Sequence, residues 1–153
     1  MSSAAQKLES ELAVLLRRSR AISRDTARTV HPDLEPEAYS LLVRLDDVGE
    51  ARPSDLAAFF GIGKPTLSRQ VQLLERLGLV ARAADPSDGR AVRLMLSPLG
   101  TQQVHAARKA RRDRLHDLLS SWTTDDIATF ATLLGRLNVA IRATGTTADE
   151  IPL

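Results

Sequence analysis

The sequence predicts a mainly α-helical fold that carries one small β wing. Apolar residues recur at steps of three and four near both ends of the chain, which is the spacing of amphipathic helices. Between residues 53 and 77, a helix that opens at a proline, a glycine turn and a second proline-opened helix follow one another. Two short alternating segments then enclose the polar run 85–90. Helix, turn, helix and hairpin in this order predict a winged helix-turn-helix.

The composition narrows the classes of function. With 153 residues the chain suffices for one compact module with helical extensions, and it is not a large enzyme. It contains no cysteine, which excludes disulfides, thiol-based redox sensing and Cys-ligated zinc. Hydrophobic residues make up 43% of the chain but aromatic residues only 3%, so the core must consist of Leu, Val, Ala and Ile, which favours packed helices.

Charge and hydropathy indicate whether the protein can bind a polyanion or a membrane. The net charge is only +2, so any affinity for a polyanion must come from how the 21 lysines and arginines are distributed. The N-terminus is polar, and no apolar run approaches the roughly 20 residues of a membrane span. We therefore expect a soluble cytoplasmic protein without a membrane partner.

The first 50 residues predict two helices. Residues 7–29 predict an amphipathic helix, because steps of three and four separate Leu8, Leu12, Leu15, Leu16, Ser19 and Ile22. The segment 30–36 contains two prolines and must end this helix. A second helix starts near Pro36 and stops before Gly49, and its inward candidates are Tyr39, Leu42, Val43 and Leu45.

Prolines and glycines delimit the helix-turn-helix. Pro53 suits the first position of a short helix and Asp55 suits its first turn. The expected buried side of this helix is Leu56, Ala57, Phe59 and Phe60. Residues 61–63 make the turn, and Pro65 opens the next helix, which places an inward stripe at Leu67, Val71, Leu74 and Leu77.

The second helix of this pair has a polar outer face. That face holds Pro65, Arg69, Gln72 and Arg76, flanked by Thr66 and Ser68. Gly78 stands where a left-handed residue ends a helix, and Leu79 beyond it can contact Leu74, as a Schellman ending requires.

The remaining chain predicts a hairpin and two helices. Residues 79–84 and 91–96 are the predicted strands, and residues 85–90 are the turn between them. Ser97 caps a long helix running to about Trp122, and Thr123 with Asp126 resembles a capping box that opens the last helix. The last helix is expected to bury Ile127, Phe130, Leu134, Leu137 and Ile141. The tail 143–153 is expected to fray.

One motif connects this pattern to a known family. The run Asp85-Pro86-x-Asp88-x-Arg90-x-x-x-Leu94-x-Leu96-Ser97-x-x-Gly100 resembles the signature of the MarR family of bacterial transcription regulators. The stretches 54–57, 66–69 and 74–80 are similar to that family's DNA-reading segment. The likeness covers residues 36–100 closely, whereas the outer helices match in length and pattern.

The resemblance implies an architecture and a function. It implies a homodimer with an N-terminal dimerisation helix and linker at 1–35, a winged helix-turn-helix DNA-binding domain at 36–100, C-terminal dimerisation helices at 101–145 and a flexible tail at 146–153. Two recognition helices would enter successive major grooves of a pseudo-palindromic operator in double-stranded DNA, about 34 to 36 Å apart. The expected activity is that of a repressor.

The candidate DNA-binding residues lie on the second helix and on the wing: Lys64, Pro65, Thr66, Ser68, Arg69, Gln72, Arg76, Asp88, Arg90 and Arg93. Arg69 is long enough to reach the two acceptors of a guanine edge, and the hydroxyl and amide side chains serve bases or phosphates. Arg90 is expected in or beside the minor groove, with Asp88 orienting its guanidinium. By family likeness Arg93 is a further wing contact, with bracing of the strand as its alternative.

Simpler interpretations stand beside these assignments. A polar helix face is ordinarily just solvated, and Arg90 could be a structural turn arginine paired with Asp88. The basic run 108–114 could contact phosphates, but a solvated face that pairs with acids on neighbouring helices is the preferred interpretation. A winged-helix module that contacts only proteins is the alternative function, and Arg69 together with Arg90 argues against it.

Members of the MarR family often release DNA when a small aromatic or phenolic effector binds. The resemblance therefore implies an effector cavity, and its candidate lining is Arg17, Arg20, His31, Tyr39 and Trp122. Ordinary core packing is the favoured alternative for Tyr39 and Trp122. His105 and His116 lie 11 residues apart, about 16 Å along one helix, so no metal site and no cofactor is expected. The sequence contains no nucleophile elbow, phosphate loop or paired catalytic carboxylates, so no enzyme activity is expected.

Overall fold

The computed structural model describes residues 3–143. Within that range the elements are α1 (Ser3–Val30), α2 (Pro36–Val48), β1 (Glu50–Ala51), α3 (Pro53–Phe60), α4 (Lys64–Arg76), β2 (Val80–Asp85), β3 (Asp88–Leu96), α5 (Pro98–Leu118) and α6 (Thr124–Ala143). The mainly helical fold class with a small β wing is confirmed. The predicted flexible tail 146–153 lies outside the described residues. Among the residues that are described, no helix is long and apolar enough to cross a bilayer.

The chain divides into two compact units, and the winged helix-turn-helix lies in the unit Val14–Arg111. The core of this unit is aliphatic, as the composition predicts, and its most completely buried large side chains are Leu34, Leu41, Leu42, Leu45, Leu56, Leu74, Leu94 and Val104. The other unit contains the first residues of α1, the end of α5 and α6.

Glycines end α3 and α4 as the sequence predicts. Gly61 has the left-handed φ of 64°. Beyond α4, Gly78 has a φ of 71°, its N–H donates to the Glu75 carbonyl at 2.9 Å, and the Leu79 N–H donates to the Leu74 carbonyl at 2.9 Å. These are the two hydrogen bonds of a Schellman ending. They fix the direction in which the chain leaves α4 and enters the wing.

The sheet has the order β1-β3-β2, and both of its strand pairs are antiparallel. Strand β1 was not predicted, because two residues carry no alternation pattern. The prediction that residues 85–90 form a turn is wrong, since β3 begins at Asp88 and only two residues separate the strands. The register jumps from Ala84 opposite Val92 to Asp85 opposite Asp88, which is a bulge in β3.

Two predictions of burial are wrong. Phe59 is 58% exposed, although Arg44 lies over its ring at 4.0 Å and the Phe60 ring meets it in a T-shaped arrangement with centroids 5.0 Å apart. On α6 no residue is buried in the single chain. Of the five residues that the sequence placed inside, Ile127, Phe130 and Leu134 are exposed and the other two are half-buried. Helix α5 also ends at Leu118, four residues before the predicted end.

Candidate nucleic-acid interface

Helix α4 is buried on one face and exposed to solvent on the other. Leu67, Val71 and Leu74 are at most 3% exposed and anchor the helix in the core. The opposite positions are exposed: Lys64, Pro65, Ser68, Arg69, Gln72 and Arg76. Thr66, at the edge of this face, is half-buried. The sequence therefore assigned both faces of α4 as the structure has them, and the outer face presents donors and acceptors that a duplex can meet.

The C-terminal end of α4 is tied to the wing by an ion pair. The Arg82 guanidinium on β2 donates through Nε to Glu75 Oε1 and through Nη2 to Glu75 Oε2 at 3.1 Å. This two-point geometry is the strong form of an arginine–carboxylate contact. The same hydrogen bonds raise the pKa of Arg82 above its usual value. Arg82 was not a predicted site residue, and its guanidinium is engaged with Glu75 in the free chain.

The bulge of the wing exposes Arg90. The Arg90 backbone N–H donates to Asp88 Oδ1 at 3.1 Å, and the Arg90 side chain is solvent-exposed. We expected Asp88 to orient the Arg90 guanidinium, but the contact runs to the backbone amide instead. Asp88 thus shapes the turn, because an aspartate accepts readily from an amide two residues ahead.

A buried carboxylate lies directly behind the wing turn. The Asp85 side chain is fully buried, and its Oδ2 accepts from Arg52 Nε at 2.7 Å and from Arg93 Nε at 3.1 Å. Its Oδ1 accepts from the Ser87 backbone N–H at 2.9 Å and from the Ser87 hydroxyl at 2.7 Å. These bonds from Ser87 and the two arginines hold the pKa of Asp85 far below its usual range, although burial acts in the opposite direction.

Two further contacts complete this arrangement, which we call the Asp85 network (Glu50, Arg52, Asp85, Ser87 and Arg93). Arg93 Nη1 donates to Glu50 Oε1 at 2.8 Å, and Arg52 Nη2 donates to the Ser87 hydroxyl at 3.2 Å. Both guanidiniums of the network are therefore occupied. The bracing alternative for Arg93 fits this geometry better than a DNA contact does.

Sequence reasoning missed most of the Asp85 network. Only Arg93 was a candidate site residue, and Asp85 was identified only as part of the wing motif. Arg52 and Glu50 lie more than 30 residues from their partners, so no local spacing could reveal the pairs. A charged residue at the end of a predicted strand was the only available signal.

The start of the basic run in α5 pairs with acids of α2. Arg108 donates to Asp47 at 2.7 Å and lies 3.4 Å from Asp46, which also contacts His105 at 3.0 Å. The hydrogen bond to Asp47 is the main reason why the pKa of Arg108 is raised. For Arg108 this is the pairing that we preferred on sequence grounds.

The candidate effector residues have separate surroundings. Arg17 and Arg20 are exposed on α1, and His31 Nδ1 accepts the Asp33 N–H at 3.1 Å. Tyr39 is half-buried, and burial is the main reason why its pKa is raised. Trp122 belongs to the other unit, where its ring meets the Phe130 ring edge-on with centroids 5.8 Å apart. Within residues 3–143 no group of three or more His, Asp or Glu side chains could hold a metal ion.

Comparison with known proteins shows which family this chain resembles. The model of the MarR family matches residues 33–91. An uncharacterized HTH-type transcriptional regulator of Bacillus subtilis, YxaD, is 38% identical over 133 residues, which span 87% of this chain and 92% of that one.

Solved structures share the fold. RV1404 from Mycobacterium tuberculosis has a TM-score of 0.81 at 19% identity, and the match covers 92% of this chain and 96% of that one. A MarR family protein from Bacillus stearothermophilus has a TM-score of 0.73 at 24% identity, with 90% and 97% covered. The sequence match to YxaD and the family model, together with the exposed face of α4 beside the wing, place this chain in the MarR family, as a DNA-binding winged helix-turn-helix regulator of transcription.

Proposed function

We propose that the protein is a cytoplasmic homodimer that binds a pseudo-palindromic operator in double-stranded DNA and represses transcription from it. The observation that carries this proposal is the outer face of α4, where Arg69 and Gln72 are exposed opposite a fully buried apolar stripe. A helix held in this way can enter a major groove without disturbing the core behind it.

Base reading is assigned to the middle of α4. The Arg69 guanidinium can meet the two acceptors of a guanine edge, and Gln72 lies one turn further on the same face. Lys64, Thr66, Ser68 and Arg76 surround them and suit phosphates, while Pro65 pre-forms the first turn. The exposed Arg90 side chain on the wing is assigned to the minor groove, whose negative potential attracts arginine.

Exposed apolar side chains support the dimer. On α6, Phe130 is 48% and Leu133 52% exposed, and Leu8 and Leu15 on α1 are 56% and 51% exposed. Soluble monomers rarely leave so many large apolar residues of two helices in water, and such surfaces ordinarily mark interfaces. We therefore assign residues 1–35 and 101–145 to dimerisation and residues 36–100 to DNA binding. Two-fold symmetry then predicts half-sites about 34 to 36 Å apart.

The proposal includes release by a small aromatic effector. Arg17, Arg20 and His31 offer cationic and polar groups, and Tyr39 offers a ring face. An effector can shift DNA binding only if its affinity differs between the DNA-bound and the free conformers. Fluorescence anisotropy of a labelled operator measures release during a titration with benzoate-type acids and phenols. A compound that releases the operator from the wild type but not from Tyr39→Ala would support this part of the proposal.

The function is tested by selection from a pool of random duplexes. Fluorescence anisotropy of the selected site then compares the wild type with the double variant Arg69→Ala/Arg90→Ala at several salt concentrations. We expect an enriched inverted repeat, bound with a negative slope of log K against log salt and lost in the double variant. No enrichment, with equally weak binding by both proteins, would favour a module that contacts only proteins.

A further inference from the structure

Asp85 differs from every other charged residue of the described chain, residues 3–143, because it alone is buried, with 3% of its surface exposed. A buried carboxylate is costly unless all of its acceptor sites are used. Here each oxygen accepts two hydrogen bonds, from two guanidiniums on one side and from Ser87 on the other.

We propose that Asp85 is a positioning residue for DNA recognition, which holds the wing against the start of α3 and withholds the guanidiniums of Arg52 and Arg93 from DNA phosphates. This inference rests on the proposed function for its effect on operator binding. Its effect on the wing itself is independent of DNA.

The positioning follows from which elements the network joins. Arg52 immediately precedes Pro53, the first residue of α3, and reaches the wing turn with two of its nitrogens. Arg52, Asp85 and Ser87 close a ring of hydrogen bonds, since the Ser87 hydroxyl accepts from Arg52 and donates to Asp85. Arg93 extends the ring to Glu50 on β1. A rotation of the wing relative to the helix-turn-helix would break several of these charged bonds at once.

The ion pairs of the network keep the guanidiniums of Arg52 and Arg93 from binding DNA phosphates. Two arginines near the wing turn, Arg52 and Arg93, bond to Asp85. Arg90, which lies on β3 like Arg93, is exposed and forms none of the ion pairs found among the described residues. An arginine released near DNA adds phosphate contacts that do not depend on sequence. The network thus raises specificity in two ways: it fixes Arg90 and it prevents Arg52 and Arg93 from binding any duplex.

The variant Asp85→Asn tests both consequences. Turned one way, the NH₂ of the amide faces the two guanidiniums; turned the other way, it faces the Ser87 backbone N–H, which can only donate. We expect operator affinity to fall by about tenfold or more, which corresponds to 1.4 kcal/mol. Binding to non-specific duplex is expected to stay equal or to rise, with a salt slope steeper by up to about 0.9 for each arginine released. A role in stability alone would not steepen that slope.

Asp55→Asn is the matched control. Asp55 is an exposed carboxylate in the first turn of α3, so the substitution makes the same change of net charge and leaves the network intact. Its ratio of operator to non-specific affinity is expected to stay within about twofold of the wild type, since a shift of 0.4 kcal/mol is within the usual range for surface changes. If Asp85→Asn gave the same ratio and the same slope as Asp55→Asn, the inference would be overturned.

Amide hydrogen exchange of residues 87–92 separates this inference from the proposed function. Faster exchange in Asp85→Asn than in Asp55→Asn supports the holding of the wing even if the wild type selects no operator, in which case only the proposed function fails. Equal exchange in both variants overturns the holding role. If Asp85→Asn does not fold, Arg52→Gln leaves three of the four bonds to Asp85 and must show weaker operator binding and faster wing exchange; wild-type behaviour in both would also overturn the inference.

Discussion

At the scale of single residues, five arginines of the winged helix-turn-helix fall into two groups by what their guanidiniums contact. Arg52, Arg82 and Arg93 bond to carboxylates within the fold. Arg69 and Arg90 are exposed. Because a paired guanidinium must give up strong hydrogen bonds before it can bind DNA, the second group carries the proposed recognition. Residue type alone could not separate the groups.

Arg69→Ala is expected to cost about 1 to 3 kcal/mol at the preferred operator and to relax specificity at one base pair in each half-site. The reason is that one bidentate guanine contact disappears while the phosphate contacts stay. Repeating the selection with the variant measures the change. Arg28→Ala, which removes an exposed arginine of α1, is the control and should select the wild-type site. An unchanged preference in Arg69→Ala would exclude its base-reading role.

Gly100→Ala is expected to destabilise the fold by about 1 to 3 kcal/mol or more, as overpacking in a closed space does. A Cβ at Gly100 would overlap the Leu79 carbonyl oxygen, which already accepts the Ser97 N–H at 3.0 Å. Chemical denaturation measures the loss. Gly89→Ala is the control, because nothing lies within 4 Å of its added Cβ and its φ is not left-handed. Equal stabilities of the two variants would contradict the close approach.

At the scale of elements, the helix pair was predictable because its ends depend on residues within a few positions. The details of the wing were not predictable, because they depend on contacts between residues that are distant in the sequence. Prolines at the helix starts and glycines at their ends act over a few residues, so α3 and α4 could be delimited from the sequence. Strand β1 exists only because Glu50 and Ala51 pair with Met95 and Leu94. The guanidinium that lies over the Phe59 ring comes from Arg44, on another helix. Such long-range pairs leave no periodic trace in the sequence.

Helix α6 presents its apolar stripe to solvent in the single chain, so the proposed dimer should depend on it. Leu134→Glu is expected to convert the dimer to a monomer, because burial of one leucine contributes about 1.5 to 3 kcal/mol and a two-fold interface loses this twice. Sedimentation equilibrium measures the dissociation constant. Thr132→Glu, about 160° away around the helix, should remain dimeric. A dimeric Leu134→Glu would place the interface elsewhere.

At the scale of the whole molecule, the response to pH should be dominated at the acid end by Asp85. Its pKa in the folded chain lies well below the value of about 3.9 in an unfolded chain. The stability that this carboxylate contributes is therefore fully present above about pH 4 and is lost as the pH falls through the lowered pKa. Urea denaturation at a series of pH values measures it.

The comparison with Asp85→Asn isolates this contribution. The difference in unfolding free energy between wild type and variant should be constant from about pH 5 to 8 and should shrink below about pH 4. Asp55→Asn supplies the matched change in net charge. A difference that varied between pH 5 and 8 would mean that the Asp85 carboxylate titrates near neutrality, contrary to its four hydrogen bonds.

The whole-molecule architecture was predictable because its signals are redundant. The wing motif, the two proline-opened helices and the amphipathic outer helices each predict the same fold. The exposure of the apolar stripe of α6 in the single chain was not predictable from periodicity, since such a stripe has the same spacing whether it packs within its own chain or against another. The pairing of Arg108 with Asp46 and Asp47 required the packing of α5 on α2.

Ser97 joins the end of the recognition helix to the start of α5. Its hydroxyl donates to the Gly78 carbonyl at 2.5 Å and accepts the Gly100 N–H at 2.9 Å. These two hydrogen bonds fix the first turn of α5 relative to the end of α4. In a relative, substitutions that tilt the first turns of α5 would therefore also move α4. The spacing of operator half-sites that such a relative binds could then change without a change in any residue that contacts DNA.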